Sequence, residues 1–229
     1  VRRELPLGAD GFGRAYPCRV CEEDRRRGRF TRLLTESGIP PIYEPCTTGT
    51  YHDRGGDVGA LTVAETWFDL LGEVPPGFTV PWGLYLYGRS RRGKSWMAAH
   101  LAWRWITERG EPCRFIELGP HLDAIRRSYD KDSFGTSTRS LQDAFSAPFV
   151  VIDDIGADRP TTWTLERTLE VVEHRLRNLL PTVYTSHLDL AVLERRLAAA
   201  DPLQSVRIAK RIREQCGLAG CVLVDGREF

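Results

Sequence analysis

The chain has 229 residues, of which 41% are hydrophobic and 28% are charged, and its formal net charge at pH 7 is +1. This composition excludes an intrinsically disordered chain, and the length allows one α/β domain with a small additional segment. No apolar run is long enough to span a bilayer and no signal-peptide pattern opens the chain, so we expect a soluble, cytoplasmic protein. The six cysteines are spread along the chain and do not form a dense disulfide framework.

Residues 1–60 are rich in glycine, proline and arginine and show little periodicity, which predicts an N-terminal segment separate from residues 61–229. Within it, Cys18 and Cys21 have the C-x₂-C spacing of one half of a zinc site. Cys46 and His52 are the candidates for two further ligands. A zinc-free loop with two thiols is an equally good interpretation, so the pattern leaves Zn²⁺ as an open alternative.

A basic stretch from Glu22 to Glu36 predicts a helix that ends near Gly38. Its basic positions are Arg25, Arg26, Arg27, Arg29 and Arg32. Such a helix can contact nucleic-acid phosphates, but a charge run also forms an ordinary solvated face, and the sequence leaves both interpretations open. We expect an irregular linker over residues 40–59 and a short amphipathic helix over residues 61–71.

The next stretch is a full match to the phosphate-binding pattern G-x-x-x-x-G-K-[ST]. Its residues are Gly88, Arg89, Ser90, Arg91, Arg92, Gly93, Lys94 and Ser95. A predicted strand precedes it and a predicted helix follows it up to Gly110, which is the context this P-loop requires. In that context, backbone N–H groups face the phosphates, Lys94 approaches the β- and γ-phosphates, and Ser95 can bind Mg²⁺. The motif predicts nucleotide binding.

After the P-loop helix, the sequence predicts a strand at residues 113–117, a helix at 121–128 and a loop at 130–137. Two acidic residues then follow an apolar run at residues 149–152. The run predicts a strand buried on both faces, whose C-terminal end is where ligands bind in an open parallel sheet. We assign Asp153 to Mg²⁺ and Asp154 to the attacking water.

A clear amphipathic pattern predicts a helix over residues 163–179, and residues 181–187 predict a fourth core strand. At the end of this strand, Ser186 or His187 could contact the γ-phosphate or its water. A purely structural histidine at a strand end is an equally good interpretation of His187.

Two helices and a short strand complete the chain, at residues 190–197, from residue 203 onward, and at residues 221–224. Arg207 and Arg211 are four residues apart on the second helix and therefore share a face. They form either a solvated ridge or the surface that presents an arginine to the nucleotide of a neighbouring subunit.

Four stretches in this order resemble the DnaC/DnaI helicase-loader family of AAA+ ATPases, and the related IstB transposition ATPases share most of them. The stretches are residues 88–95, 150–156, 180–188 and 207–213. The resemblance covers about residues 60–225 and implies a P-loop NTPase fold, with a parallel sheet flanked by helices, that binds ATP and Mg²⁺ and hydrolyses ATP. It assigns the phosphates to Gly88, Gly93, Lys94 and Ser95, and the acidic Walker B pair to Asp153 and Asp154. It also implies a sensor at the end of the fourth strand, an arginine acting in trans at Arg207, and a second sensor or interface residue at Arg211.

Three features depart from the family pattern. Arg91 and Arg92 occupy positions that are usually small, His187 replaces the usual sensor asparagine, and the N-terminal segment is short. The leading hypothesis is an ATP-dependent helicase loader that self-associates through shared nucleotide sites and holds a replicative helicase and single-stranded DNA. The alternatives are an IstB-type transposition helper and, ranked lowest, a small-molecule kinase with the same P-loop.

Overall fold

The computed structural model describes residues 19–43, 47–71, 81–129 and 146–228. The loop predicted at residues 130–137 lies outside these ranges. Among the described residues, no helix is both long enough and apolar enough to cross a membrane.

Five parallel strands form one sheet in the order β2-β3-β4-β1-β5. The strands are β1 (Gly83–Tyr87), β2 (Cys113–Glu117), β3 (Phe149–Asp153), β4 (Thr182–Ser186) and β5 (Cys221–Leu223). In β3 and β4 every residue is buried, as expected for central strands covered on both faces. The predicted fold class, a parallel sheet flanked by helices, is confirmed.

Eight α-helices are described around this sheet. They are α1 (Arg19–Ser37), α2 (Thr48–Asp53), α3 (Val58–Leu70), α4 (Lys94–Arg104), α5 (Leu118–Tyr129), α6 (Thr162–Arg177), α7 (Leu190–Leu197) and α8 (Pro202–Cys216). The first four helices, α1 through α4, pack on one face of the sheet in one hydrophobic cluster. The last four, α5 through α8, pack on the other face in a second cluster. The sheet is therefore the middle layer of three.

Two stretches differ from the prediction. The expected linker at residues 40–59 contains a 3₁₀ turn (Pro41–Tyr43) and α2, because Thr47 and Thr50 form a reciprocal capping box at the start of that helix. The helix after the P-loop continues to Arg109 as predicted, but its last turn, Trp105–Arg109, is π-helical and ends at Gly110, which has a left-handed backbone (φ 62°).

The described part of the N-terminal segment packs against the rest of the chain. Leu33, Ile39 and Tyr51 are buried and belong to the same hydrophobic cluster as α4. The Tyr51 ring lies 5.3 Å from the ring of Trp96, the third residue of α4. The boundary between residues 60 and 61 stays a prediction, but this segment helps to build one face of the domain.

Candidate active site

The P-loop joins β1 to α4, as its sequence context predicts. Gly93 caps α4 with a left-handed backbone (φ 88°), so the first N–H groups of the helix open toward the loop. Gly88 has φ 142°, and a β-carbon at this position would collide with the carbonyl oxygen of Val224. Both glycines are therefore required by backbone geometry and close packing.

The Lys94 side chain is held inside the loop. Its Nζ donates a hydrogen bond of 2.6 Å to the carbonyl oxygen of Arg89. Burial lowers the pKa of Lys94, while the carboxylates of Asp154 and Asp153 act in the opposite direction. The site therefore contains a cation that burial has partly desolvated, which strengthens its attraction for an anion.

Asp153 is the last residue of β3 and is only 6% exposed. Burial raises the pKa of its carboxyl, whereas hydrogen bonds from Thr185 and Ser95 favour the ionised form. The Ser95 hydroxyl therefore lies beside the Asp153 carboxylate. These are the two oxygen ligands assigned to Mg²⁺ from the sequence, and the structure brings them together.

Thr185 organises the two acidic residues, and the sequence analysis did not select it. Its Oγ1 donates a 2.6 Å hydrogen bond to Asp153 Oδ1 and accepts a 2.9 Å hydrogen bond from the backbone N–H of Asp154. Asp154 has a left-handed backbone (φ 57°), which is uncommon for a residue other than glycine. Thr185 thus stabilises a strained turn and orients the buried carboxylate.

The two sensor candidates at the end of β4 face different surroundings. Ser186 is fully buried; its Oγ donates to the carbonyl oxygen of Ile155 at 2.7 Å and accepts from the N–H of Leu188 at 3.1 Å. His187 lies on the cleft wall, with its Nδ1 3.7 Å from Asp154 Oδ1. Of the two, only His187 is on the cleft wall.

These groups line one cleft of about 1020 Å³. The sequence-predicted residues on its wall are Arg89, Ser90, Arg91, Arg92, Gly93, Lys94, Ser95, Asp153, Asp154 and His187. Residues that the sequence analysis did not select are also on the wall, including Tyr43, Arg54, Glu117 and Thr185. Tyr43 and Arg54 show that the N-terminal segment forms part of this cleft.

The unusual Arg91 and Arg92 both contact the segment that follows β5. Arg92 Nη1 donates a 2.6 Å hydrogen bond to the carbonyl oxygen of Gly226, and Arg91 Nη1 lies 3.5 Å from Glu228 Oε1. In the same segment, the backbone N–H of Arg227 donates a 2.9 Å hydrogen bond to the carbonyl oxygen of Gly55. The P-loop is thereby connected, through the segment after β5, to the loop before α3.

Arg207 and Arg211 lie on α8 and are not on the wall of this cleft. Both side chains form ion pairs with Glu173 of α6. Its Oε1 lies 3.0 Å from Arg207 Nη2 and 3.5 Å from Arg211 Nε. Arg177 also pairs with Glu173, at 2.9 Å. Burial opposes ionisation of Glu173, but hydrogen bonding and charge from these arginines lower its pKa. Arg211 also pairs with Glu214, with Nη1 2.7 Å from Oε2, so the three arginines share two carboxylates on this face.

The candidate zinc ligands are only partly described. Cys21 and His52 are exposed, and Cys18 and Cys46 lie outside the described residues. Within the described ranges, no group of three or more His, Cys, Asp or Glu side chains is arranged to hold a metal ion. The structure adds no support to the zinc alternative.

Comparison with known sequences finds two relatives. The chain is 25% identical over 147 residues to "Replicative helicase loader DnaI" of Bacillus subtilis (strain 168); the match covers 63% of this chain and 46% of DnaI. It is 27% identical over 160 residues to "Uncharacterized protein YdaV" of Escherichia coli (strain K12), covering 68% of this chain and 59% of YdaV. The chain therefore spans about half the length of these relatives. No protein-family model matches it.

Solved structures show the same fold. The crystal structure of DnaI has a TM-score of 0.58 and 22% identity, covering 75% of this chain and 82% of the DnaI chain. The crystal structure of the DnaC helicase loader has a TM-score of 0.56 and 22% identity, covering 80% of this chain and 98% of the DnaC chain. The replication initiator DnaA bound to AMPPCP and single-stranded DNA gives 0.56 and 15%, covering 74% and 48%. In sequence and in fold, this chain resembles the DnaC/DnaI-like helicase loaders of the AAA+ ATPases.

Proposed function

We propose that the cleft binds Mg²⁺–ATP and hydrolyses it. The observation that carries this proposal is that the P-loop, the Asp153–Asp154 pair and His187 all line the same cleft. The first N–H groups of α4 and the Lys94 ammonium fit the phosphates, and the Ser95 hydroxyl beside the Asp153 carboxylate fits Mg²⁺. Bound Mg²⁺ would neutralise charge on the phosphate oxygens.

The remaining polar residues have distinct roles in the proposed reaction. Asp154 orients the attacking water and accepts its proton, because its carboxylate is beside the cleft rather than buried under it. His187, next to Asp154, contacts the γ-phosphate or the same water. Thr185 keeps the two acidic residues in place through its two hydrogen bonds.

We further propose that this ATPase acts as a replicative helicase loader. The similarity to DnaI, whose name states that role, and the shared fold with the DnaC helicase loader support this assignment. Arg207 and Arg211 are not among the residues that line their own cleft, which suits a role at the nucleotide of a neighbouring subunit in a self-associated form. Its proposed partners are a replicative helicase and single-stranded DNA.

The basic helix α1 is a candidate DNA contact in this proposal. Residues 20–29 of this helix are exposed, and Phe30, which follows them, is half-buried. Arg29 is partly engaged, because its Nη2 donates to the carbonyl oxygen of Gly110 at 2.8 Å. The exposed guanidinium groups would contribute phosphate contacts that weaken as salt concentration rises.

Nucleotide binding and hydrolysis are tested with Lys94→Ala. We expect loss of ATP binding and of DNA-stimulated hydrolysis, because the variant removes the cation that the P-loop holds in the cleft. Lys210→Ala is the matched control for ATP binding, since the Lys210 side chain is 70% exposed and lies on α8. An undiminished hydrolysis rate in Lys94→Ala would contradict the assignment of the active site.

The partner is tested by a pull-down with the host's replicative helicase, with and without ATP. We expect ATP-dependent recovery of the helicase. Recovery of a transposase, with tight binding to duplex DNA, would instead support the IstB-type alternative. Transfer of phosphate to a small acceptor, with no effect of Arg207→Ala on turnover, would support the kinase alternative.

A further inference from the structure

Two cysteines lie at the junction between α8 and β5. Cys216 is the last residue of α8 and Cys221 is the first residue of β5, and a turn of four residues separates them. The turn is tight, because the N–H of Gly220 donates to the carbonyl oxygen of Cys216 at 3.2 Å. The proposed ATPase chemistry uses neither thiol.

Both side chains lie on the same face of the sheet. Cys221 pairs in register with Tyr85 of β1, and the side chains of paired residues on neighbouring strands point to the same face. A β-carbon added at Gly83, two residues before Tyr85 and therefore on that face, would lie 2.8 Å from Cys216 Sγ. Cys216 belongs to the hydrophobic cluster on this face, and Cys221 packs against the same cluster.

The two thiols differ in access to solvent and in acidity. Cys216 is fully buried, and burial raises its pKa well above the usual value. Cys221 is half-buried, and the hydrogen bond from Cys216, opposed by burial and assisted by the charge of Arg213, lowers its pKa to about 7. Cys221 Sγ also lies 3.5 Å from the carbonyl oxygen of Gly217. Cys221 is therefore the more exposed and the more acidic of the two thiols, and Cys216 is shielded from solvent.

We propose that Cys221 and Cys216 form a redox-active pair in which a small hydroperoxide oxidises Cys221 and Cys216 then closes an intramolecular disulfide. In the first step the Cys221 thiolate attacks one peroxide oxygen and breaks the O–O bond. The sulfur becomes a sulfenic acid, and the other peroxide oxygen leaves as water, or as an alcohol, after taking a proton. In the second step Cys216 Sγ attacks the Cys221 sulfur, the S–S bond forms, and hydroxide leaves as water with the proton of the Cys216 thiol.

The disulfide would link the end of the helix that carries Arg207 and Arg211 to the edge strand next to β1. It would therefore fix the junction from which the chain continues to the P-loop contacts of Gly226 and Glu228. The cross-link itself does not depend on the proposed ATPase function, so its test does not require nucleotide.

The full-length chain offers a direct test by peptide mapping. Trypsin releases residues 214–227 as one peptide that contains both cysteines and has no internal lysine or arginine. After treatment of the reduced protein with hydrogen peroxide, we expect the mass of this peptide to fall by two hydrogen atoms and its cysteines to resist alkylation. Addition of dithiothreitol should restore both the mass and the alkylation. The peptide of residues 110–114 is an internal control, because its Cys113 is buried and its pKa is raised to about 12 by burial.

Variants separate the role of Cys221, which the peroxide oxidises, from that of Cys216, which closes the disulfide. In Cys221→Ser, Cys216 should stay alkylatable at the same peroxide dose. In Cys216→Ser and Cys216→Ala, dimedone should trap a sulfenic acid on Cys221, whereas little should be trapped in the wild type. Two replacements are used because Cys216 is in the core, and circular dichroism checks that each variant folds. Oxidation of the 110–114 peptide at the same dose as the 214–227 peptide, or no loss of hydrogen from the latter, would overturn the proposal without reference to any variant.

Discussion

Arg92→Gln is expected to destabilise the folded chain and to weaken ATP binding. The variant removes the guanidinium that donates a 2.6 Å hydrogen bond from the P-loop to the carbonyl oxygen of Gly226. The segment that contains Gly226 is also bound to the loop before α3, through the N–H groups of Asp225 and Arg227. The contact therefore connects the P-loop to a fixed part of the domain.

The magnitude follows from the type of contact. A hydrogen bond from a charged donor contributes about 1.5–3 kcal/mol, and because this one is only partly buried we take about 1.5 kcal/mol. For a chain of this size, that loss lowers the melting temperature by about 3–6 °C. If the bond also holds the loop in its binding conformation, the same free energy weakens ATP binding by about tenfold.

Thermal unfolding followed by circular dichroism and titration with ATP measure the two effects. Arg91→Gln is the control on the same loop, because its 3.5 Å ion pair with Glu228 joins two exposed side chains and contributes at most about 1 kcal/mol. We expect Arg92→Lys to lie between Arg92→Gln and the wild type. A melting temperature and an ATP affinity equal to those of the wild type in Arg92→Gln would refute the reasoning.

Three other predictions concern the same cleft and its proposed neighbour. Asp153→Asn should raise the melting temperature of the nucleotide-free protein while abolishing hydrolysis, because burial raises the pKa of this carboxyl and its ionised form is destabilising near neutral pH; a lower melting temperature contradicts this. Thr185→Val should lower the free energy of unfolding in urea by about 2 kcal/mol, since it removes two hydrogen bonds; an unchanged midpoint contradicts this. Arg207→Ala should keep ATP binding and lose turnover, and mixing it with Lys94→Ala should restore part of the turnover only if the arginine acts in trans.

Much of the fold was predictable because its signals are local. The apolar run before Asp153 indicates a central strand, since a strand covered on both faces needs apolar residues at successive positions. The bounds of α7 agree with the prediction at both ends, and its N-cap, Asp189, accepts a hydrogen bond from the N–H of Val192. The P-loop is contiguous in sequence, so its pattern by itself predicts which residues would surround bound phosphates.

By itself the sequence determined the P-loop, the acidic pair and the strand that His187 follows, because each is a short stretch with its own chemistry. Only the tertiary structure decided which distant groups meet these stretches. Thr185 faces Asp153 because β4 lies beside β3 in this strand order, and Arg92 meets Gly226 because β5 lies beside β1. No local periodicity encodes the order of parallel strands, since each strand is joined to the next by a crossover that can pass over several positions.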